Sequence, residues 1–152
     1  METSFLKLSE YEEMKALFLD VFSREPWFDK WKDEKQVDLY LKDLIDNKNS
    51  LSLVFFDENK KLVGGSLGYV FNWWEGREYF IKEFFVSKEK QNQGIGSMFL
   101  TQISDILKGE EIKHIWLATE RTVSAYHFYH KNGFTELKDS AFLMKKVFND
   151  NG

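Results

Sequence analysis

The 152-residue chain has no cysteine, one proline and three histidines, and each scarcity removes a class of chemistry. Without a thiol there can be no disulfide, no thiolate metal site and no covalent thioester on the protein. His114, His127 and His130 are the only imidazoles. None stands in a zinc-binding H-E-x-x-H pattern, so no metal site is expected. There is no run of about 18 apolar residues of the kind a membrane span needs. The opening Met1-Glu2-Thr3-Ser4-Phe5 lacks the basic and apolar regions of a secretory leader. The expectation is a cytoplasmic protein without a membrane partner. Neither sign of charge dominates: 21 Lys and Arg face 25 Asp and Glu, for a net charge of -4. With no basic block to follow a phosphate backbone, a nucleic acid partner is not expected.

What the chain has in quantity is apolar and aromatic surface: 43% hydrophobic residues, with 15 Phe, 6 Tyr and 5 Trp. This composition excludes a disordered or low-complexity segment. The length suits one domain, taken as residues 1–152 with a polar tail over 149–152.

Hydrophobic spacing sets out the elements. Phe5 to Leu8 alternates as a short strand, and Ser9 with Glu12 has the spacing of a capping box. Met14, Leu17, Phe18, Val21 and Phe22 follow as the stripe of a helix. Pro26 breaks the chain, and a second helix begins after Asp33 with Val37, Tyr40, Leu41, Leu44 and Ile45 on its core face. Strands are predicted at Leu51 to Phe56, Leu62 to Phe71 and Glu78 to Val86, joined by hairpin turns at Asp57-Glu58-Asn59-Lys60 and Trp74-Glu75-Gly76. Gly64, Gly65 and Gly68 weaken the middle strand or admit close backbone approach. Ile95, Met98, Phe99, Ile103 and Ile106 form a further helix. A strand from Ile112 to Ala118 completes a right-handed parallel crossover. Thr122 or a neighbour caps a short helix that ends at Asn132-Gly133. Thr135 to Leu137 and Ala141 to Phe148 read as a closing antiparallel hairpin.

The segment that carries chemistry is Gln91-Asn92-Gln93-Gly94-Ile95-Gly96, directly after one strand and directly before one helix. Its glycines let the backbone come close to a ligand, and the free N–H groups of a helix start suit an anion such as a pyrophosphate. A dinucleotide fingerprint would need a glycine where Phe99 stands. A P-loop would need Gly-Lys-Ser/Thr, which is absent.

Gln91, Gly94 and Gly96 match the Arg/Gln-x-x-Gly-x-Gly/Ala signature of the GNAT superfamily of acetyl-CoA-dependent N-acetyltransferases, which the sequence resembles at this junction. The resemblance continues in Phe84-Phe85-Val86 before the loop. After the loop it continues in Ala125-Tyr126-His127-Phe128-Tyr129-His130-Lys131-Asn132-Gly133-Phe134. The element order from Phe5 to Phe148 is also similar. It implies an α/β (α+β) single-domain fold. A central mixed sheet of about seven strands, flanked by four helices, would splay between two parallel central strands. Gln91 and Asn92 stand where the family often has Arg and Gly, and Thr122 aligns with a frequent Asn.

The resemblance further implies acetyl-CoA as co-substrate, held by Phe84, Phe85, Val86, Gln91, Asn92, Gln93, Gly94, Ile95, Gly96, Ser97, Thr122 and Ala125. It implies Tyr129 as the acid that protonates the departing sulfur. A homodimer is a further family-level expectation. Glu83, a carboxylate between Lys82 and Phe84 in an apolar strand, is the first candidate for the base that takes a proton from the amine. Strand alternation gives it the face of Ile81 and Phe85. Glu78 and Glu120 are weaker candidates for that role. Trp27 and Trp31, with Trp73, Trp74 and Glu120, are expected near the acceptor, because aromatic faces and carboxylates suit an ammonium.

The function expected is direct acetyl transfer from acetyl-CoA to a primary amine, of a small molecule, through a ternary complex. The alternatives are a non-catalytic acyl-CoA-binding sensor module and an acetyltransferase acting on a protein or peptide amine.

Overall fold

The computed structural model describes residues 1–148, so the tail 149–152 lies outside the described residues. The chain divides into two units, residues 1–119 and residues 120–152. The first unit holds a five-stranded mixed sheet: β1 (Glu2–Phe5), β2 (Ser50–Phe56), β3 (Leu62–Trp73), β4 (Gly76–Val86) and β5 (Ile112–Trp116). The strands lie in sequence order. The first three pairings are antiparallel, and β4 pairs with β5 in parallel. Helices α1 (Tyr11–Phe22), α2 (Glu34–Ile45) and α3 (Ile95–Gly109) belong to this unit. α4 (Ser124–Lys131) belongs to the second.

Local chemistry sets the boundaries. Asp33 caps α2 by accepting from the Gln36 N–H at 2.8 Å, which satisfies one of the orphan donors of a helix start. The β2–β3 turn is held by the Asp57 carboxylate, which accepts from the N–H groups of Asn59 (2.8 Å) and Lys61 (3.0 Å). These bonds favour the ionised form and hold Asp57 below the usual carboxylate range.

The apolar stripes pack on opposite sheet faces. On one face Met14, Phe18, Val37 and Leu41 of α1 and α2 join Val54, Leu67 and Phe85 of the sheet. On the other, Phe99 of α3 stacks on Phe55 and Phe84, with ring centroids 5.0 and 5.3 Å away. Phe99 is fully buried, and burial of such a side chain contributes about 2–3 kcal/mol.

Several expectations are corrected. The sheet has five strands rather than about seven, because no strand forms among the described residues after Trp116. Thr135 to Leu137 and Ala141 to Phe148 lack strand pairing, and Phe142, Leu143, Val147 and Phe148 are exposed. An apolar run becomes a strand only where a partner ladder takes up its backbone groups. β1 occupies Glu2–Phe5 rather than 5–8, and β5 stops at Trp116 rather than at Ala118. Ser9 and Glu12 make no capping box; the Glu10 carboxylate instead accepts from the Lys7 N–H at 2.8 Å. Thr122 does not cap α4, which follows Val123 without a side-chain cap.

The face of Glu83 is half corrected. In the β3–β4 register Leu67 opposes Glu83 while Gly68 opposes Ile81, so Lys82 is an extra residue, a β-bulge. Glu83 therefore shares a face with Leu67 and Phe85, and Ile81 lies on the other.

Candidate active site

β4 pairs with β3 from Gly76 to Val86 except at the Lys82 bulge, but its last partner on β5 is Trp116, opposite Phe80. Beyond that point, among the described residues, no strand pairs with that edge of β4, which is open there. The Ser87 N–H donates to the Val63 carbonyl at 2.8 Å. By alternation Phe85 also directs its backbone groups to β3, whereas Phe84 and Val86 direct theirs to the open edge. The Val86 carbonyl there accepts from the Gln91 side-chain amide at 3.0 Å.

A short 3₁₀ turn, Lys88–Lys90, leads into the loop before α3. Asn92 (φ 63°) and Gly94 (φ 74°) adopt left-handed backbone, which brings the chain sharply into the helix. α3 begins with no side-chain cap and no acid in its first turn. The Met98 N–H bonds to the Gly94 carbonyl at 3.0 Å, while the N–H groups before it have no intrahelical acceptor. A side chain added at Gly94 would meet nothing within 4 Å, so the backbone lies open there. This start of α3 leaves the backbone N–H groups of Ile95, Gly96 and Ser97 as donors of the kind that suit an anion. The Gln93 amide instead donates to Glu89 O at 3.1 Å, within the loop.

On the α1–α2 face, the Tyr40 hydroxyl donates to Glu83 Oε2. Burial pushes the Glu83 carboxyl above its ordinary range, against the opposing pull of the Tyr40 bond and Lys82, and the charge of Asp29 adds to the rise. Tyr40 is itself pushed well up by burial and by Glu83, so it stays a protonated donor. Trp31 lies 5.4 Å from the Tyr40 ring and 6.0 Å from that of Phe18. Its indole Nε1 is buried without a hydrogen-bond partner among the described residues. Trp27 packs on Phe22 at 5.7 Å. Trp27 and Trp31 are thus partly buried extensions of the core, and of the two Trp31 packs on the tyrosine that bonds Glu83.

Trp73 and Trp74 sit elsewhere, at the β3–β4 turn, with Trp74 80% exposed. The length of β4 between Gly76 and Glu83 separates them from the carboxylate by roughly 20 Å. Glu78 is engaged by β5, accepting from Trp116 Nε1 at 2.8 Å and lying 3.1 Å from His114 Nδ1.

In the second unit, the Tyr129 ring meets those of Phe128 and Phe134, each at 5.4 Å, and the Phe134 N–H closes on the Tyr129 carbonyl at 3.0 Å. Gly133 (φ 89°) makes that turn possible. Ala125 is half-buried, and Thr122 and Glu120 are exposed. Arg121 pairs with Glu136 at 2.5 Å and holds its carboxyl below the usual range. Tyr126 packs on His130 at 4.4 Å. Among the described residues no group of three or more His, Asp and Glu could hold a metal ion, and no helix is long and apolar enough to cross a membrane.

The sequence reading missed Tyr40 as a partner of Glu83. It sits on the apolar stripe of α2 like any core residue, and its contact lies 43 positions away.

The model of the acetyltransferase (GNAT) family matches residues 11–134. No curated protein matches the chain. Among solved structures, an aminoglycoside acetyltransferase from an uncultured soil metagenomic sample, in complex with sisomicin, is 20% identical, with TM-score 0.74 over 97% of this chain and 96% of that one. A ribosomal-protein-alanine N-acetyltransferase of Brucella melitensis biovar Abortus 2308 is 14% identical, with TM-score 0.76 over 95% and 99%. A GNAT family acetyltransferase of Staphylococcus aureus is 18% identical, with TM-score 0.70 over 96% and 98%. At these identities the likeness is one of fold. The family match spans most of the chain, including the loop before α3 and the Tyr129 helix: the protein belongs to the GNAT acetyltransferase family, acyltransferases that use acetyl-CoA as co-substrate.

Proposed function

We propose that this chain is a cytoplasmic, single-domain enzyme that acetylates a primary amine of a small molecule by direct transfer in a ternary complex. The observation that carries the reading is Glu83, a half-buried carboxylate of raised pKa at the open edge of β4. Bound acetyl-CoA supplies an activated acetyl group and a thiol leaving group. Everything else falls to the chain. The backbone along the open edge of β4 past Phe80 would hold the amide arm, and donors there would polarise the thioester carbonyl. Ile95, Gly96 and Ser97 hold the diphosphate.

An alkylammonium has a pKa of about 10.4 and must lose a proton before it attacks. We assign Glu83, raised by burial, to take it, directly or through a water. Family resemblance gives Tyr129 the opposite task. A phenol, with a pKa near 10 against about 8.5 for a thiol, carries its proton at neutral pH and can give it to a departing thiolate. With no cysteine in the chain, an acyl-enzyme thioester has no place to form. The Tyr40 ring beside Glu83 supports a small amine as acceptor. So does the likeness to an aminoglycoside acetyltransferase.

Thermal unfolding with saturating acetyl-CoA, against NADH and ATP, tests the co-substrate site. At 100 times Kd a native-state ligand adds about 2.7 kcal/mol, a rise of roughly 5–10 °C for a domain of this size. Thiol release on a panel of amines and peptides then tests the reaction, with no protein thiol in the background. A shift with acetyl-CoA but no turnover would favour a sensor module. Turnover on peptides alone would favour a protein acetyltransferase. No shift would overturn the assignment of the loop.

A further inference from the structure

We propose that Tyr40 is the positioning residue of the site: its hydroxyl fixes the Glu83 carboxylate through Oε2, so that Oε1 is the atom left to receive the proton of the acceptor amine. The inference rests on the reading of Glu83 as base. Tyr40 lies on α2 and Glu83 on β4, and a hydrogen bond joins their side chains. The donor is held in place in turn. The Tyr40 ring packs against Trp31 at 5.4 Å and Phe18 at 6.2 Å. Phe18 also meets the Phe85 ring at 5.6 Å, two residues along β4 from Glu83. Trp31 therefore acts on the carboxylate through Tyr40, a role distinct from touching the amine.

The electrostatics agree with the geometry. The groups that face the pair are Lys82 beside Glu83 on β4, Asp29 from the α1–α2 segment and Tyr69 from β3. Burial and Asp29 favour the neutral acid, while Lys82 and the Tyr40 hydroxyl favour the carboxylate. Tyr40 stays protonated through the range in which Glu83 titrates, so it acts as a fixed donor and not as a second base. Without it, the carboxylate is free to rotate and harder to ionise, and both changes cost activity at neutral pH.

The experiment compares wild type, Tyr40→Phe and Glu83→Gln through the pH profile of kcat/KM, with acetyl-CoA Kd and urea stability as controls. In parallel, the Glu83 carboxyl is titrated by carbon-13 NMR, its resonance assigned by its absence in Glu83→Gln. Loss of a donor to the ionised form raises the pKa, so the acidic limb of Tyr40→Phe should move up by about one pH unit, with the NMR midpoint moving alongside it. Acetyl-CoA affinity should stay within about twofold of wild type, and Glu83→Gln should lose about 100-fold or more in kcat/KM. If Glu83→Gln is inactive but Tyr40→Phe keeps the wild-type limb and midpoint, the positioning role is overturned, even if kcat falls. If Glu83→Gln turns over normally, the base assignment falls and the inference with it. The NMR titration needs only folded protein: an unmoved midpoint refutes the tuning role whatever the turnover shows.

Discussion

Three glycines on one strand make a graded test of how the sheet is built. A Cβ at Gly68 would lie 2.0 Å from the Phe80 carbonyl oxygen, 2.9 Å from its carbon and 3.0 Å from the Ile81 Cα. All three atoms are backbone, so no rotamer can relieve the clash and β3 must separate from β4. We expect Gly68→Ala to cost about 3 kcal/mol or more. At Gly65 the Cβ would lie 2.4 Å from Phe85 Cζ. That ring is a side chain, but Phe18 and Phe22 confine it, with centroids 5.6 and 5.9 Å away. Displacement costs about 1–3 kcal/mol, offset by about 0.4–1 kcal/mol from the stiffer unfolded chain, leaving roughly 1–2 kcal/mol of loss. At Gly64 the nearest atoms, on the Phe99 ring, stand at 3.1 Å. A shift of a few tenths of an ångström suffices, and the net change is about zero. Urea unfolding of the three variants, fitted with a common slope, reads the series directly. A Gly68→Ala loss below about 1 kcal/mol, or a Gly64→Ala loss larger than that of Gly65→Ala, would refute the packing argument.

Other outcomes follow from single contacts. Gln91→Ala removes the donor to Val86 O and should raise the acetyl-CoA Kd by about 2- to 10-fold with little change in unfolding midpoint, both measured on the same preparation. Tyr129→Phe should lower kcat about 100-fold while calorimetry shows acetyl-CoA binding intact. Glu83 has a folded pKa above its unfolded value. An acid shifted that way is best tolerated below the unfolded pKa, near 4.3, and weakens the fold as pH rises through the folded value. Glu83→Gln should therefore stabilise by about 1 kcal/mol at pH 7, with the gain vanishing at pH 4 in urea titrations.

The parts of this molecule legible in its sequence are those decided within a few residues. The stripes of α1 to α3, the Asp33 cap, the two tight hairpins and the left-handed glycine before α3 depend on local spacing and backbone freedom. Residues 141–148 show the limit of that reasoning: the run from Ala141 to Phe148 has strand composition, but composition does not supply the neighbouring strand that a ladder requires. Tyr40 shows a second limit. Its position on α2 is given by the same period as Val37, Leu41 and Leu44, yet what distinguishes it is a hydroxyl aimed at a strand whose location only the assembled sheet provides. Trp27 and Trp31, expected at the acceptor, pack against Phe22, Phe18 and Tyr40.

The bulge at Lys82 is the least legible feature and links the two halves of the proposed site. With an unbroken register after the Gly68–Ile81 pair, Leu67 would oppose Lys82 and Ser66 would oppose Glu83. An ammonium would then face Tyr40, and the carboxylate would sit on the α3 face beside Phe99. One inserted residue exchanges them. It also bends and twists β4 just past Phe80, where pairing with β5 ends, so the carboxylate and the open backbone edge arise at the same place. Gly68 permits the insertion, because only a residue without Cβ tolerates the Phe80 carbonyl at this distance. Gly68→Ala should therefore lose activity even in its folded population. Assayed at a temperature and pH where urea titration shows at least about 95% folded protein, its kcat/KM should fall about 100-fold or more. Gly65→Ala, matched for fraction folded, should keep most of its turnover. Equal losses in the two variants would mean that general loosening of the sheet, and not the register at Lys82, governs the chemistry.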